Sequence, residues 1–225
     1  MAEFITINGE YAASGIYEFY KEIQVKCDCK IRIRAFAVMR YILYINGQYI
    51  CEGPCKSAEN VRYFDEVKGV CLKKGRNEIK MVVMHLVQQR RFSSVFKEHK
   101  PIVIFEANGQ DVCATTDTSW NCRFVKGHKL IHDLNYFQQI PPQEEIFAEE
   151  ECVELKTEKL ANSDVLEFEK GLKTDWGIVN GFHLDKRPIP MIFPGEEISF
   201  QVVNVVRIMW NWMREPMLLR LLRHK

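Results

Sequence analysis

The chain has 225 residues, 31 lysines and arginines against 30 aspartates and glutamates, and a formal net charge of +1. Charges this evenly balanced, with no long basic run, give none of the concentrated positive field that a phosphate backbone requires, which argues against nucleic-acid binding. A chain of this length buries roughly 70 per cent of its unfolded surface, so its core needs neither disulfides nor metal.

The opening Met1-Ala-Glu-Phe-Ile-Thr6 lacks a basic start followed by an apolar run, and no segment approaches about 18 consecutive apolar residues. The expectation is a soluble, cytoplasmic protein without a membrane span. Residues 16–25, 30–38 and 41–45 read as extended runs, the last turning back into Tyr49-Ile50. In the middle run Ile31, Ile33 and Ala35 alternate with Arg32 and Arg34, the pattern of a strand with one wet face. Asn46-Gly47 stands between β-branched and aromatic runs, and a type I′ hairpin turn needs positive φ at both central positions, so a tight hairpin is predicted. Gly53-Pro54 opens a loop expected to carry polar residues through Asn60.

Gly75 and Asn77 break the chain before an alternating strand with Ile79, Met81 and Val83. Residues 88–100 show no period and read as a long loop or short helix. A second Asn-Gly hairpin is predicted at Asn108-Gly109, between residues 101–106 and 111–115, and two such hairpins point to an antiparallel sheet. The acidic stretch after Pro141-Pro142 reads as a solvated excursion. Short strands are expected near 165–168 and 197–205, an extended passage at Lys186-Arg-Pro-Ile-Pro190, and an apolar, basic helix in the last seventeen residues.

Eight cysteines, at 27, 29, 51, 55, 71, 113, 122 and 152, do not show the paired two-residue spacings of a zinc ribbon. Reduced, mostly buried thiols are expected, with Cys27 and Cys29 sharing the core face of one strand. His128 and His132, four apart, would share a face on a helix and could bind a metal there, but Gly127 and the flanking polar residues argue for a loop. Neither a nucleophile elbow nor a phosphate-cradling glycine loop is present, so no metal and no cofactor is expected.

Three passages resemble the N-terminal β-sandwich region of bacterial alpha-L-rhamnosidases. The first is Ile33-Arg-Ala-Phe-Ala37 leading into Leu43-Tyr-Ile-Asn-Gly47 and Glu52-Gly-Pro54. The second is Tyr63-Phe-Asp65 followed by Leu72-Lys-Lys-Gly-Arg-Asn77. The third joins Thr118-Ser-Trp120 to Arg187-Pro-Ile-Pro190. The resemblance implies an all-β, antiparallel, galactose-binding-like jelly roll over about residues 1–135. A β-rich extension to about 205 and a helical tail over 206–225 would follow.

It also implies that hydrolysis belongs to a separate helical barrel, beyond the expected end of this chain. Val87-Gln-Gln-Arg-Arg91 stands where that family has a glycine- and tryptophan-rich loop. The expected role is therefore a non-catalytic accessory domain, with a free-standing carbohydrate-binding module or a dimerising structural fragment as alternatives. Expected partners are a glycan, rhamnose-containing or other, and a catalytic domain or second copy docked through the C-terminal region.

Glycoside hydrolysis needs two carboxylates converging on one pocket, and the clustered candidates Glu144, Glu145, Glu149, Glu150 and Glu151 occupy one solvated run. Sugar binding needs an aromatic platform with planar polar side chains beside it. Tyr63, with Asn60, Arg62 and Asp65 in the same expected loop, supplies that combination, and Trp176 is a second platform. Trp120, Tyr44 and Tyr49 read as packing residues.

Overall fold

Alternation of apolar and polar side chains sets the architecture, because each run of that kind buries one face and wets the other. The computed structural model describes residues 2–9, 13–55, 61–86, 100–131, 143–147, 152–160, 165–166, 178–179 and 182–191, and within them it is all β. In chain order these form β1 (Ile5–Ile7), β2 (Gly15–Val25), β3 (Cys29–Ala37), β4 (Tyr41–Ile45), β5 (Gln48–Gly53), β6 (Val61–Leu72) and β7 (Gly75–His85). Next come β8 (Val103–Asn108), β9 (Cys113–Thr115), β10 (Asn121–Val125), β11 (His128–Ile131) and β12 (Gln143–Ile146). Then follow β13 (Cys152–Leu155), β14 (Thr157–Lys159), β15 (Val165–Leu166), β16 (Ile178–Val179) and β17 (Phe182–Lys186).

Among the described residues one sheet has nine strands, ordered β14-β1-β8-β3-β6-β17-β16-β15 with β9 beside β8. The other has six, ordered β13-β10-β2-β7-β4-β5, and β11 and β12 form a separate two-stranded ribbon. Pairing is antiparallel except where β17 runs parallel to β6. The two large sheets pack face to face as an antiparallel jelly-roll sandwich. Their shared core joins Ile31, Ile33 and Phe105 of one sheet to Phe19, Leu43, Ile79 and Met81 of the other, all nearly or wholly buried. A second apolar cluster, including Phe36, Phe64, Ile104 and Leu184, lies on the outer side of the nine-stranded sheet.

Asn46 and Gly47 have φ of 51° and 75°, and Ile45 pairs with Gln48, which is the tight hairpin expected of this dipeptide. Asn77 does not break the chain. It is wholly buried inside β7 and donates to the carbonyls of Lys73 (2.7 Å) and Gly75 (3.0 Å), while its own oxygen accepts from Asn46 Nδ2 at 2.9 Å. Two neighbouring turns are thus fastened to each other by a pair of amides.

The second Asn-Gly site is a different turn. β8 runs through Asn108, which pairs with Cys113, and Gly109 N donates to Val112 O at 2.8 Å, giving a four-residue connection. Glycine is required there by close approach: a Cβ at 109 would lie 2.8 Å from Ile31 Cγ2. Gly69, φ 77°, is the extra residue of a bulge where the β3–β6 register shifts between Ile31 and Arg32.

The thiols are less buried than expected. Cys51, Cys55 and Cys122 are buried, whereas Cys27, Cys71 and Cys113 are exposed. Cys27 falls in the bend between β2 and β3 rather than on a strand face, which removes it from the core. His128 sits on a strand, not a loop, and pairs with Glu144 at 2.8 Å, so sheet pairing fixes it. Residues 144–147 are exposed, as expected for the acidic Glu144 and Glu145, and the apolar Ile146 and Phe147 are exposed with them. The passages at 87–99 and 197–205, and the apolar tail, lie outside the described residues.

Candidate functional site

Strand β6 carries three of the five residues singled out from the sequence, Arg62, Tyr63 and Asp65, while Asn60 and Trp176 lie outside the described residues. The segment expected as a loop is strand from Val61 onward, because β3 pairs with it on one side and β17 on the other. Successive side chains on a strand face opposite ways. That divides the set: Arg62 goes with Phe64 and Glu66 to the outer side, Tyr63 with Asp65 to the inner. Arg62 is 3% exposed and Asp65 0%, so both are shielded from solvent, and Tyr63 is half-buried.

Asp65 ties the two sheets together at the rim of the core. Its carboxyl accepts from Tyr41 Oη of β4 at 2.6 Å and from Arg187 Nη1, just beyond β17, at 2.9 Å. Arg187 also donates to the Glu52 carbonyl at 3.4 Å, and its backbone N–H donates to Phe64 O at 3.0 Å. Gly53, which precedes a cis bond to Pro54, leaves the room: a Cβ there would lie 1.8 Å from Asp65 Oδ2.

Burial pushes the Asp65 carboxyl up from its ordinary range, against the pull of Tyr41 and Arg187. It likewise holds the Tyr41 phenol well above 10 and drives the neighbouring Cys51 thiol up to about 12. Desolvation is the common cause.

Glu66, the next residue, faces the other way and meets the opposite situation. Its side chain is 7% exposed and lies 2.7 Å from Lys186 Nζ, 3.5 Å from Arg34 Nε, 3.7 Å from Lys68 Nζ and 3.9 Å from Arg32 Nη1. The hydrogen bond from Lys186 and the surrounding cations hold its carboxyl below the usual carboxylate range. Arg34 also covers the Phe64 ring, 5.7 Å from its centroid. Beside this cluster the chain from Lys186 to Met191 bends away from β17 and, with Glu66, lines an open cleft of about 270 Å³. Pro188, Ile189 and Pro190 give it an apolar wall, and Ile189 is 56% exposed.

The two β6 carboxylates are not placed to act together on one glycosidic bond. Asp65 and Glu66 point to opposite sides of the sheet and cannot flank one substrate atom. Glu144 and Glu145 alternate on β12, and Glu144 is occupied by His128. Sequence reasoning missed Glu66 and Arg187. The Arg-Pro-Ile-Pro passage was legible as extended chain, but a partner 122 positions away leaves no local signal. Trp120 is core, 2% exposed, packed on Phe105 at 5.5 Å between ring centroids, and Tyr44 meets Tyr49 edge-on at 6.4 Å. Among the described residues no helix is long and apolar enough to cross a membrane.

No protein-family model matches the chain, and no curated protein matches it. Solved structures do. The sandwich is similar to part of the GH78 family rhamnosidase of Bacillus sp. GL1, with a TM-score of 0.60 and 16% identity over 84% of this chain and 20% of that one. It is also similar to part of the alpha-L-rhamnosidase from Aspergillus terreus, with a TM-score of 0.53 and 15% identity over 71% of this chain and 21% of that one. The chain thus has the fold of a β-sandwich segment of such rhamnosidases and spans about one fifth of their length.

Proposed function

We propose that this chain is a non-catalytic, carbohydrate-binding accessory domain of an alpha-L-rhamnosidase-like glycoside hydrolase. The carrying observation is the lopsided match: 84% of this chain corresponds to only 20% of the Bacillus sp. GL1 enzyme, the relation of one module to a longer protein. The carboxylates of the β6 region support the non-catalytic half of the reading. One is locked between Tyr41 and Arg187, the other among four cations.

Sugar contact is assigned to the region where β6 meets β17. Tyr63, opposite Asp185 in register, supplies the stacking surface, joined by Asn60 and Trp176 on the strength of their residue types. Asp65, on the same face two residues further on, holds the strand in place through Tyr41 and Arg187. Calorimetric titration with rhamnose-containing oligosaccharides, alongside an assay for release of aryl alpha-L-rhamnosides, tests the proposal. Binding without hydrolysis, weakened by Tyr63→Ala in a variant that still folds, is the expected result. Turnover by the isolated chain, or binding of no saccharide at all, would overturn it.

A further inference from the structure

Away from β6, the outward face of the six-stranded sheet carries a row of side chains that the core does not use. Register pairs Asn121 of β10 with Tyr20 of β2, Tyr20 with Lys80 of β7, Lys80 with Tyr44 of β4, and Tyr44 with Tyr49 of β5. Residues opposite one another share a side of the sheet, and the adjacent Phe19, Leu43 and Ile79, each 0% exposed, fill the inward side. The five therefore form one line across the strands, about 19 Å long at the usual strand spacing. The line meets water: Tyr49 is 36% exposed, Asn121 is exposed, and Tyr20, Lys80 and Tyr44 are half-buried.

The rings of this row are held in position. Arg123 lies over Tyr20, 5.4 Å from its centroid, and Lys80 Nζ lies over Tyr44 at 5.8 Å, while Tyr44 and Tyr49 meet edge-on. The Tyr20 hydroxyl donates to Glu154 at 3.1 Å. The cations standing on the face are held as well, Lys80 and Arg123 by Glu18 at 3.3 and 2.5 Å, and Arg76 by Glu22. Glu78, opposite Glu22 in register, and Glu154 add further negative charge. The face thus has no positive excess, so its charge is complementary to a neutral ligand and not to a polyanion. Flat rings interleaved with polar heads suit pyranose sugars, which stack through their C–H faces and hydrogen-bond through their hydroxyls.

We propose that this row binds an extended, neutral oligosaccharide lying across the strands, with sugar rings on Tyr20 and on the Tyr44–Tyr49 pair and hydroxyls toward Lys80 and Asn121. This inference rests on the carbohydrate-binding reading above and adds a second contact surface, on the sheet that does not contain β6. Tyr20 and Tyr44 stand two strand spacings apart, about 10 Å, so a monosaccharide touches one ring and only a longer chain touches both. The second contact is then made at high effective concentration, by rings whose orientation is already set.

The test titrates the whole chain with L-rhamnose and with linear, neutral rhamno-oligosaccharides from the disaccharide to the pentasaccharide. Binding is followed by calorimetry and by NMR shifts of the amides of residues 20, 44, 49, 80 and 121. Affinity is expected to rise at least about tenfold between the monosaccharide and a chain that spans both rings, and to change less than about twofold with added sodium chloride. Tyr20→Leu and Tyr49→Leu keep apolar bulk in the cross-strand pairs but lose the flat ring. Both are expected to weaken the longer chains about tenfold, with urea unfolding to verify that they fold, whereas Tyr63→Ala should leave the shifts along the row in place. Shifts confined to residues 61–65 and 182–187, or an affinity independent of chain length, would overturn this inference and leave the accessory-domain reading standing. Self-association of the chain that either leucine variant abolishes would overturn it in favour of a protein interface. If no saccharide binds, the accessory-domain reading fails with it.

Discussion

Replacing Gly53 by alanine should unfasten the Asp65 tie between the sheets. The added Cβ would meet Asp65 Oδ2 at 1.8 Å, Asp65 Cγ at 2.9 Å and Tyr41 Cε1 at 3.0 Å, so the carboxyl has to leave. Its departure breaks the bonds to Tyr41 and Arg187, at 2.6 and 2.9 Å, and leaves the Arg187 cation without its balancing anion. Separating a buried pair in this way costs roughly 3–5 kcal/mol. Against a total stability of about 5–15 kcal/mol for a domain, that is a large fraction. Urea unfolding gives the measurement, with the slope expected to stay constant and the midpoint to fall.

The double variant sharpens the test, because Asp65→Ala removes the atoms that clash. Gly53→Ala should then add little, and the two losses should fall short of additivity by at least about 2 kcal/mol. Gly69→Ala is the control: nothing lies within 4 Å of its Cβ position, and only its φ of 77° opposes a side chain, a cost of roughly 1–2 kcal/mol. A Gly53→Ala loss no larger than that of Gly69→Ala, or strict additivity with Asp65→Ala, would refute the reasoning.

The two adjacent carboxyls of β6 should respond to pH with opposite signs. Burial raises Asp65 above 3.8 in the folded state, so the native form holds more protons there and its stability relative to Asp65→Asn should fall as pH rises from 3.8. Lys186 and its neighbours lower Glu66 below 4.5, so the stability it contributes is present above 4.5 and is lost as pH falls. Unfolding curves for Asp65→Asn and Glu66→Gln across the acid range would show diverging differences, and parallel ones would contradict both assignments. Glu66→Gln leaves Arg32, Arg34, Lys68 and Lys186 facing one another, so added sodium chloride should stabilise the variant more than the parent chain. Thiol titration of the folded protein should label the exposed Cys27, Cys71 and Cys113 rapidly. Cys51, driven up to about 12, and buried Cys122 should stay unlabelled until urea unfolds the chain.

What could be read from the sequence was local and periodic. The alternation of Ile31, Ile33 and Ala35 with two arginines places a strand, and Asn46-Gly47 places a hairpin, because each signal is complete within a few residues. Asn108-Gly109 carries the same dipeptide and makes a different turn. There the glycine answers to Ile31 from another strand, 2.8 Å from the Cβ position, a demand no window around 109 contains. Asn77 misleads for the same reason: its type suggests a break, but its amide is used to hold Asn46 of a neighbouring turn. At the candidate site Tyr63 and Asp65 were recognisable as chemistry, whereas their separation onto one face, with Arg62 and Glu66 on the other, depends on β17 arriving as a parallel partner.

That late partner connects stability to the proposed binding role. A buried ion pair is a weak source of net stability, because desolvating both groups offsets most of their attraction. What the Asp65–Arg187 pair provides instead is position. It fixes the residue at which the chain leaves β17, while the Arg187 backbone donates to Phe64 at 3.0 Å and the Lys186 ammonium reaches Glu66 at 2.7 Å. Three anchors on one strand, one inward, one along the backbone and one outward, thus set the course of the following Pro188-Ile-Pro190. Two prolines in that run restrict φ and lack backbone donors, so the segment enters no ladder at those positions and keeps a preformed shape. A cleft built this way loses little conformational entropy when it takes up a ligand, the condition under which a small, polar contact yields measurable affinity.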